Sequence, residues 1–256
     1  WSSLGQTEIT AHRGSSRTAP ENTLAALTAA MEEMADAAEI DVQTTEDGAV
    51  VLCHDINLKR VAGVNRRLGD LTLEEAQGLD VGSYFSEEFA GEGIPTLEEA
   101  LALCQGRLKL NIELKDLGAD SCLPEKTAEI IREWGMEEQC VISSVRLSYL
   151  ERVKAVCPEL KAGLILPAAY GRYYEDESVD FISIRSSLAN RRLVEAAHEA
   201  GRAVHVWTVN RPAELKSMAL LGADNLITDY PARAREILYE EAASGGILDS
   251  LRMLLR

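Results

Sequence analysis

Short apolar segments alternate with amphipathic segments along most of this 256-residue chain. In Asn22–Asp36, for example, Leu24, Leu27 and Met31 lie on one stripe of a predicted helix, with other residues between them. The segments that separate such helices are short, near-continuous apolar runs, as expected for strands that are buried on both faces. The predicted strands are Glu8–His12, Ala38–Thr44, Ala49–Cys53, Leu108–Leu114, Cys140–Ser144, Ala162–Leu166, Val179–Ile184, Ala203–Thr208 and Asn225–Thr228.

Other local signals mark the ends of the predicted elements. The pair Asp47-Gly48 predicts a tight hairpin between the second and third strands. Thr72 and Thr96 are each followed three residues later by a glutamate, so both predict a capping box that opens a short helix. The longer helices predicted after these are Pro124–Trp134, Leu147–Val156, Asn190–Ala200, Pro212–Leu221 and Pro231–Ala242.

The order of these elements predicts an α/β fold, the (β/α)8 TIM barrel. With the hairpin counted as one position, the strands form eight helix-separated units, and the chain length suits one such domain over residues 1–256. The hairpin is a short insertion after the second strand, and an apolar stripe after Gly246 predicts a C-terminal helical extension over 239–256 that covers the barrel floor. The alternative is an open, doubly wound sheet, but no G-x-G-x-x-G follows the first strand.

Composition excludes several classes of function. A net charge of −16 argues against nucleic acid as a partner, because phosphate backbones need a basic surface. The five cysteines are widely spaced and form no C-x-x-C motif, so we expect buried free thiols rather than a disulfide framework or a zinc site. The negative charge also means that an anionic substrate would need local positive charge in order to bind.

Polar residues accumulate at the carboxyl ends of the predicted strands, where the active sites of such barrels lie. The first strand ends in His12-Arg13, which joins a side chain that moves protons near neutral pH to a guanidinium that fits phosphate or carboxylate oxygens. Glu39 and Asp41 are two residues apart in the second strand, so their side chains point the same way. The other polar strand ends are His54-Asp55, then Asn111, Glu113 and Lys115 on one face, and Trp207 with Asn210.

Three of these carboxylates, from Glu39, Asp41 and Glu113, would converge in the barrel mouth and repel one another. Such a cluster is stable only when it is protonated or neutralised by a cation. Because all of its ligand atoms are oxygens, the cation would be Ca²⁺ or Mg²⁺ rather than zinc. The simpler interpretation is that the carboxylates make ordinary ion pairs with Arg13 and Lys115.

Several motifs between His12 and Asp229 resemble those of the glycerophosphodiester phosphodiesterase family. They are His12-Arg-Gly with Pro20-Glu-Asn-Thr, Glu39-Ile-Asp-Val with Glu46-Asp-Gly, His54-Asp55, Pro95-Thr-Leu, Glu113-Leu-Lys, Trp207-Thr-Val-Asn and Gly222-Ala-Asp. The resemblance implies a TIM barrel that uses a divalent cation to hydrolyse glycerophosphodiesters to glycerol phosphate and an alcohol.

The resemblance also implies roles for individual residues and a setting for the domain. His12 and His54 would be the acid/base pair, Arg13 and Lys115 the phosphate ligands, and Glu39, Asp41 and Glu113 the metal ligands. The sequence from Ala11 to Asn22, around the first motif, is similar to that of family members that carry a separate membrane-spanning region. It therefore implies such a region elsewhere in the parent chain, with this domain cytoplasmic or attached to a membrane protein.

Two other functions are alternatives to the hydrolysis of water-soluble glycerophosphodiesters. One is a phospholipase-type enzyme that cleaves an intact lipid or lysolipid; a hydrophobic rim formed by residues 54–95 and 168–177 would favour it. The other is a catalytically inactive sensing domain of a membrane protein. Retention of every candidate acid, base and metal ligand argues against the inactive domain.

The remaining polar residues receive plainer interpretations. Trp207 stands at a strand end and would form a wall for the glycerol or the leaving group. Glu21 and Asn22 would fix the turn and cap the first helix, and Asn210 would cap the helix that begins at Pro212. His205 shares a face with Trp207 and would be a buried structural group, His198 would lie on an outer helix without a special role, and Asp229 has no assigned role.

Overall fold

In the computed structural model, which describes residues 7–169 and 171–240, the strands close into a parallel barrel. The strands are β1 (Glu8–His12), β2 (Ala37–Thr44), β3 (Val50–Leu52), β4 (Lys109–Leu114), β5 (Cys140–Ser144), β6 (Lys161–Ile165), β7 (Phe181–Arg185), β8 (Ala203–Trp207) and β9 (Asn225–Thr228). Around the barrel the order is β1-β2-β4-β5-β6-β7-β8-β9, and β9 pairs with β1 to close it. Only β3 is antiparallel among these strands, because it returns along β2 as the predicted hairpin.

Helices cover the outside of the barrel. They are α1 (Leu24–Glu32), α2 (Lys59–Ala62), α3 (Leu73–Gln77), α4 (Leu97–Cys104), α5 (Leu123–Glu133), α6 (Leu147–Val156), α7 (Arg191–Glu199), α8 (Pro212–Leu221) and α9 (Pro231–Arg235), which continues as a π-helical turn (Glu236–Glu240). Between β6 and β7, the described residues include a single 3₁₀ turn (Tyr173–Glu175) and no α-helix. This connection is therefore the one place where the described part of the barrel lacks an outer helix of its own.

Alternation along the strands sorts side chains between the core and the barrel interior. Ile40 and Ile112 are fully buried and belong to the main hydrophobic cluster, whereas the residues flanking them in sequence are polar and face inward. In the register, Asp41 pairs with Glu113, and the end of β1 pairs with β2 so that His12 stands opposite Glu39. The pairing itself thus places these polar side chains side by side at one end of the barrel.

The predicted barrel is confirmed, as are both capping boxes and the hairpin turn. Thr72 and Thr96 each accept a hydrogen bond from the backbone of the glutamate three residues on, and Gly48 adopts the left-handed φ of +83° that the turn requires. The final α-helix ends at Arg235 and continues as a π-helical turn to Glu240, and the predicted end at Ala242 and most of the predicted 239–256 extension lie outside the described residues.

Other predictions concern the cysteines, a membrane helix and the barrel interior. All five cysteines are free thiols, and four of them are buried as predicted, whereas the prediction is wrong for Cys122, which is exposed just before α5. Within residues 7–169 and 171–240, no helix has both the length and the hydropathy needed to cross a membrane.

His205 is buried in the barrel interior, as predicted. Its ring stacks on Phe181 at 4.2 Å between centroids, and burial lowers its pKa to about 3. Gly163 makes room for this stack, since a Cβ there would collide with the Phe181 ring.

Candidate active site

All eight residues predicted to carry the chemistry line one cavity of about 230 Å³ at the carboxyl ends of the strands. They are His12, Arg13, Glu39, Asp41, His54, Glu113, Lys115 and Trp207. The rest of the lining consists of Asn111, Ser143, Val145, Ile165, Ser183 and Ile227. The structure therefore brings together residues that are up to 195 positions apart in the sequence (207 − 12 = 195).

The centre of the cavity is a cluster of three carboxylates. Glu39, Asp41 and Glu113 each offer one oxygen, and these three atoms all lie within 4.8 Å of one another. Burial, together with the charge of Asp41, raises the pKa of both Glu39 and Glu113 well above the ordinary value for a carboxyl group. Asp41 Oδ1 is buried and has no hydrogen-bond partner among residues 7–169 and 171–240. A hard divalent cation would satisfy this atom and neutralise the cluster, so the donor set fits Ca²⁺ or Mg²⁺.

Two basic side chains lie against the same cluster. Arg13 Nε is 3.6 Å from Asp41 Oδ2, and Lys115 Nζ is 3.5 Å from Asp41 Oδ1 and donates a hydrogen bond of 3.1 Å to Glu113 Oε1. The ion pairs that were the simpler interpretation of the carboxylates are therefore present. They leave three carboxylates facing two cations, and the backbone N–H of Arg13 adds one hydrogen bond of 2.9 Å to Glu39.

His12 is held by a carboxylate to which the sequence assigned no role. Its Nδ1 lies 2.7 Å from Asp229 Oδ1, and its Nε2 is 4.0 Å from Glu39 Oε2. Burial lowers the pKa of His12, but the Asp229 hydrogen bond and the charge of Glu39 outweigh burial and raise it above the ordinary histidine value. Asp229 directly follows β9, and because β9 closes the barrel against β1, its position beside His12 follows from closure.

Asn210 supports Asp229, and its prediction as a helix cap is wrong. The cap position of α8 is Arg211, which makes no side-chain capping bond. Asn210 Nδ2 instead donates to Asp229 Oδ2 at 2.8 Å, and its Oδ1 accepts from the Asp229 backbone N–H at 2.9 Å. A turn between two neighbouring strand ends offers Asn210 these partners, and α8 begins one residue later than a cap at position 210 requires, because its cap position is Arg211.

Asn22 is also not a helix cap. Thr23 caps α1, with its hydroxyl accepting from the Ala26 backbone N–H. Asn22 has a positive φ of 54° and is buried, with its Nδ2 donating to Asp41 Oδ2 and its Oδ1 accepting from the Asp41 backbone N–H, both at 3.0 Å. The side chain therefore fixes the central carboxylate of the cluster.

His54 is supported by a network that reaches across the mouth of the cavity. Its Nδ1 lies 2.7 Å from Asp55 Oδ1, and Arg60 Nε donates to Asp55 Oδ2 at 2.7 Å. The guanidinium of Arg60 also binds both carboxylate oxygens of Glu21, at 2.6 and 3.0 Å, and Arg13 donates to Glu21 at 3.2 Å. Glu21 therefore joins two arginines rather than capping a helix.

Arg60 was not found from the sequence. It belongs to the insertion after the hairpin and is 39 residues from Glu21 in the chain, so no local spacing points to their contact. The hydrogen bonds from Arg60 and His54 outweigh the effect of burial and lower the pKa of Asp55, so this carboxylate stays charged beside His54.

The opposite side of the cavity carries almost no charge. Ser143, Val145, Ile165 and Ser183 line it, and Trp207 lines the cavity beside them. Trp207 Nε1 is buried and, among the described residues, has no hydrogen-bond partner. The cavity therefore offers charged and proton-transferring groups on one side and a neutral surface on the other, an arrangement suited to a substrate with one anionic centre.

Similar proteins were found by sequence and by structure. A glycerophosphodiester phosphodiesterase of Caldanaerobacter subterraneus subsp. tengcongensis is 37% identical over 231 residues, covering 88% of this chain and 95% of that protein. The crystal structure of a putative glycerophosphoryl diester phosphodiesterase from Silicibacter pomeroyi superposes with a TM-score of 0.83 at 26% identity, covering 93% and 95% of the two chains. An Oleispira antarctica phosphodiesterase in complex with the product sn-glycerol-3-phosphate gives a TM-score of 0.81 at 30% identity, covering 90% and 96%.

The family profile covers nearly all of the barrel and every residue that lines the cavity. It matches residues 12–233, which extends from the first histidine of the site to the helix after β9. The cavity, the fold and this match agree, and the chain belongs to the glycerophosphoryl diester phosphodiesterase family.

Proposed function

We propose that this chain hydrolyses glycerophosphodiesters to glycerol 3-phosphate and an alcohol with one divalent cation and with His12 and His54 as the acid/base pair. The observation that carries the proposal is the placement of both histidines, two basic side chains and three carboxylates around one cavity. Family membership supports the reaction class. The sn-glycerol-3-phosphate bound to the Oleispira antarctica phosphodiesterase supports the product.

Glu39, Asp41 and Glu113 would hold the cation. Their oxygens are close together, and within the described part of the chain Asp41 Oδ1 lacks a hydrogen-bond partner, as expected for an atom that a metal ion would bind. When bound, Ca²⁺ or Mg²⁺ would supply positive charge that stabilises the charge building up on the phosphoryl oxygens. Asn22 keeps Asp41 in place through two hydrogen bonds, independently of the cation.

Arg13 and Lys115 would bind the phosphate oxygens of the substrate. Both line the cavity, and both lie within 4 Å of Asp41, so their charges are already gathered where the anion would bind. Burial lowers the pKa of each group, but the neighbouring carboxylates raise both pKa values above the ordinary ones. The two side chains therefore remain cationic at neutral pH, which offsets the repulsion expected from the overall negative charge of the chain.

The two histidines would divide the proton transfers. Asp229 binds His12 at Nδ1 and Asp55 binds His54 at Nδ1, so in both residues Nε2 is the ring atom left to face a substrate. The raised pKa of His12 favours the protonated ring, which suits a proton donor to the departing alkoxide. His54 would then take the proton from the nucleophile.

The nucleophile has two possible sources in a glycerophosphodiester. It is either water or the 2-hydroxyl of the glycerol itself, whose attack forms a cyclic phosphate that water then opens. We propose the second route, because the hydroxyl is already held next to phosphorus by the substrate's own bonds. Accumulation of cyclic glycerophosphate in quenched reactions is the expected result. Full incorporation of solvent oxygen in a single step without that species would contradict the cyclic route.

The direct test is turnover of glycerophosphocholine, glycerophosphoethanolamine and glycerophosphoglycerol, each with and without a chelator, measured by release of glycerol 3-phosphate. We expect turnover that the chelator abolishes and that Ca²⁺ or Mg²⁺ restores. A parallel preparation of the His12→Ala variant controls for contaminating phosphodiesterases. Absence of turnover with all three substrates and both cations would contradict the proposal and favour the inactive sensing domain.

A further inference from the structure

Arg185 places a positive charge beside the uncharged side of the cavity. It is the last residue of β7, and in the register of the sheet it pairs with Trp207, the last residue of β8. Both line a side depression of about 320 Å³, in which Arg185 is the one charged group among the described lining residues. Val145, Ile165 and Trp207 line both the side depression and the active-site cavity. One ligand can therefore occupy both.

No carboxylate balances the charge of Arg185 in the described part of the chain. The residue is exposed, and its guanidinium lies over the Trp207 ring, 5.2 Å from the centroid. Within residues 7–169 and 171–240 this guanidinium forms no ion pair and donates no hydrogen bond. Arg146, which follows β5 at the same end of the barrel, instead donates to both oxygens of Asp116, at 2.9 and 2.8 Å. The N–H donors of Arg185 are therefore available to an anionic group of a ligand.

The position of His12 indicates which part of a substrate reaches Arg185. Under the proposed function, His12 protonates the departing alkoxide and His54 acts on the nucleophile, and the leaving and attacking oxygens lie roughly in line through phosphorus. His12 ends β1, and His54 follows the β2–β3 hairpin on one side of that strand. On the other side of β1 come β9, β8 and β7. The leaving alcohol therefore lies towards Trp207 and Arg185, and the glycerol lies towards His54.

The rest of the side depression affects how strongly Arg185 attracts an anion. Leu166, Pro167 and Leu188 complete its lining, and none of these side chains competes for an anionic group. Apolar surroundings strengthen the attraction between opposite charges, whereas the exposure of Arg185 allows water and salt to screen it. The attraction should therefore lie near the upper end of the range for exposed ion pairs.

We infer that Arg185 is a specificity-determining residue that binds an anionic group, a carboxylate or a phosphate, on the leaving alcohol. Glycerophosphodiesters of acidic alcohols are therefore favoured over those of alcohols with an ammonium group, which meet a like charge at Arg185. The inference rests on the proposed function, because Arg185 acts only on a substrate whose phosphodiester occupies the cavity. The reaction is the same hydrolysis: an oxygen from water ends up bonded to phosphorus, the P–O bond to the alcohol breaks, and the alkoxide takes a proton.

A set of substrates that differ in the charge of the leaving alcohol tests this inference. They are the glycerophosphodiesters of ethanolamine, 3-hydroxypropanoate and 2-hydroxyethyl phosphate, in which the same short spacer ends in an ammonium, a carboxylate or a phosphate. Release of glycerol 3-phosphate is the common readout. The measured quantity is the charge ratio, which is kcat/KM for an anionic ester divided by kcat/KM for the ethanolamine ester. Comparing the charge ratios of a variant and the wild type cancels the intrinsic reactivity of each leaving alcohol.

The Arg185→Gln variant removes the charge, and Arg191→Gln is its matched control. Arg191 begins α7, lies 3.6 Å from Glu195, and lines neither the cavity nor the side depression. We expect Arg185→Gln to lower the charge ratio by about fivefold, Arg185→Glu to lower it further, and Arg191→Gln to leave it unchanged. Arg185→Lys keeps the charge and should keep the ratio within about twofold of the wild type. Circular dichroism checks that each variant is folded.

The outcomes separate this inference from the proposed function. A fall in the charge ratio for only one of the anionic esters identifies its group, carboxylate or phosphate, as the one that Arg185 binds. If the ethanolamine ester is hydrolysed but Arg185→Gln keeps the wild-type charge ratio for both anionic esters, the inference is overturned and the proposed function stands. An equal loss of kcat/KM with all three esters is such a result, because it would place Arg185 on the phosphodiester itself. If no glycerophosphodiester is hydrolysed at all, both are overturned.

Discussion

The two sides of the barrel mouth differ in the charge of the side chains that line them. One side, from β1, β2, β4 and the hairpin, carries the charged and titratable residues of the cavity, among them His12, Asp41 and Lys115. The other side, from β5 to β8, contributes serines and apolar residues such as Ser183 and Ile165. We call them the charged wall and the neutral wall. Under the proposed function, the first half of the chain would supply most of the reacting groups, and the second half would hold His12 through Asp229 and shape the space that a substrate occupies.

The carboxylates of the charged wall repel one another in a buried position, and the neutral wall contains no such repulsion. Burial and mutual repulsion raise the pKa values of Glu39 and Glu113, which means that the ionised forms are disfavoured. Such a cluster is not needed to hold a barrel together, since apolar side chains of similar size would do so with less repulsion. We therefore interpret it as a binding site.

The largest effects should come from the histidines of the charged wall. The His12→Ala and His54→Ala variants should each lower kcat by about 10² or more, because each loses a positioned proton-transfer group. Ser183→Ala on the neutral wall should stay within about twofold of the wild type, and His198→Ala, which changes a histidine on α7, should have no effect. Near-normal kcat in either of the first two variants would remove that histidine from the proposed mechanism.

A smaller effect, with a distinctive pH signature, should follow from Asp229→Asn. The Asp229 hydrogen bond raises the pKa of His12, so replacing the carboxylate by a neutral amide should lower that pKa. The limb of the pH–rate profile that reports His12 should therefore move to lower pH, and the other limb should stay in place. A profile that is unchanged, or that moves to higher pH, would show that Asp229 does not tune His12.

The smallest of these effects should come from Arg60, which reaches the reaction only through other residues. Arg60→Gln removes the donor that holds both Asp55 and Glu21, so His54 should be less well oriented and kcat should fall by roughly tenfold. Arg66→Gln is the matched control, since Arg66 is an exposed arginine of the same insertion that pairs with Glu75. Equal kcat values in the two variants would mean that the network does not position His54.

Much of the charged wall could be predicted because strand geometry is local. Residues two apart in a strand share a face, so Glu39 with Asp41, and Glu113 with Lys115, could be grouped before any tertiary contact was known. The carboxyl ends of parallel strands meet at one end of a barrel, which brings these pairs together with His12. The eight predicted residues meet in one cavity for that reason.

The supporting residues could not be predicted in the same way. Asn22 and Asn210 have the residue type and position of helix caps, but each binds a carboxylate on a neighbouring strand end. Local capping and tertiary hydrogen bonding compete for the same side chain, and sequence position alone does not show which one prevails. The contact of Arg60 with Glu21 depends on how the insertion folds back over the cavity, which periodicity does not describe.

Two exposed apolar residues beside the cavity illustrate the same limit. Neither is unusual in the sequence, since a leucine or valine after a strand is usually part of the core. Val145 and Leu188 stand out only once their exposure and their position beside Trp207 are known.

The most direct test of the charged wall is calorimetric titration of the chelator-treated protein with Ca²⁺ and with Mg²⁺, which does not depend on turnover. We predict saturable binding of one cation per chain for at least one of the two ions. Binding should be lost in Asp41→Asn, which should remain folded, and kept in Asp229→Asn, whose altered carboxylate is outside the cluster. Absence of binding in the wild type, or equal binding in Asp41→Asn, would contradict the account of the three carboxylates as a metal site.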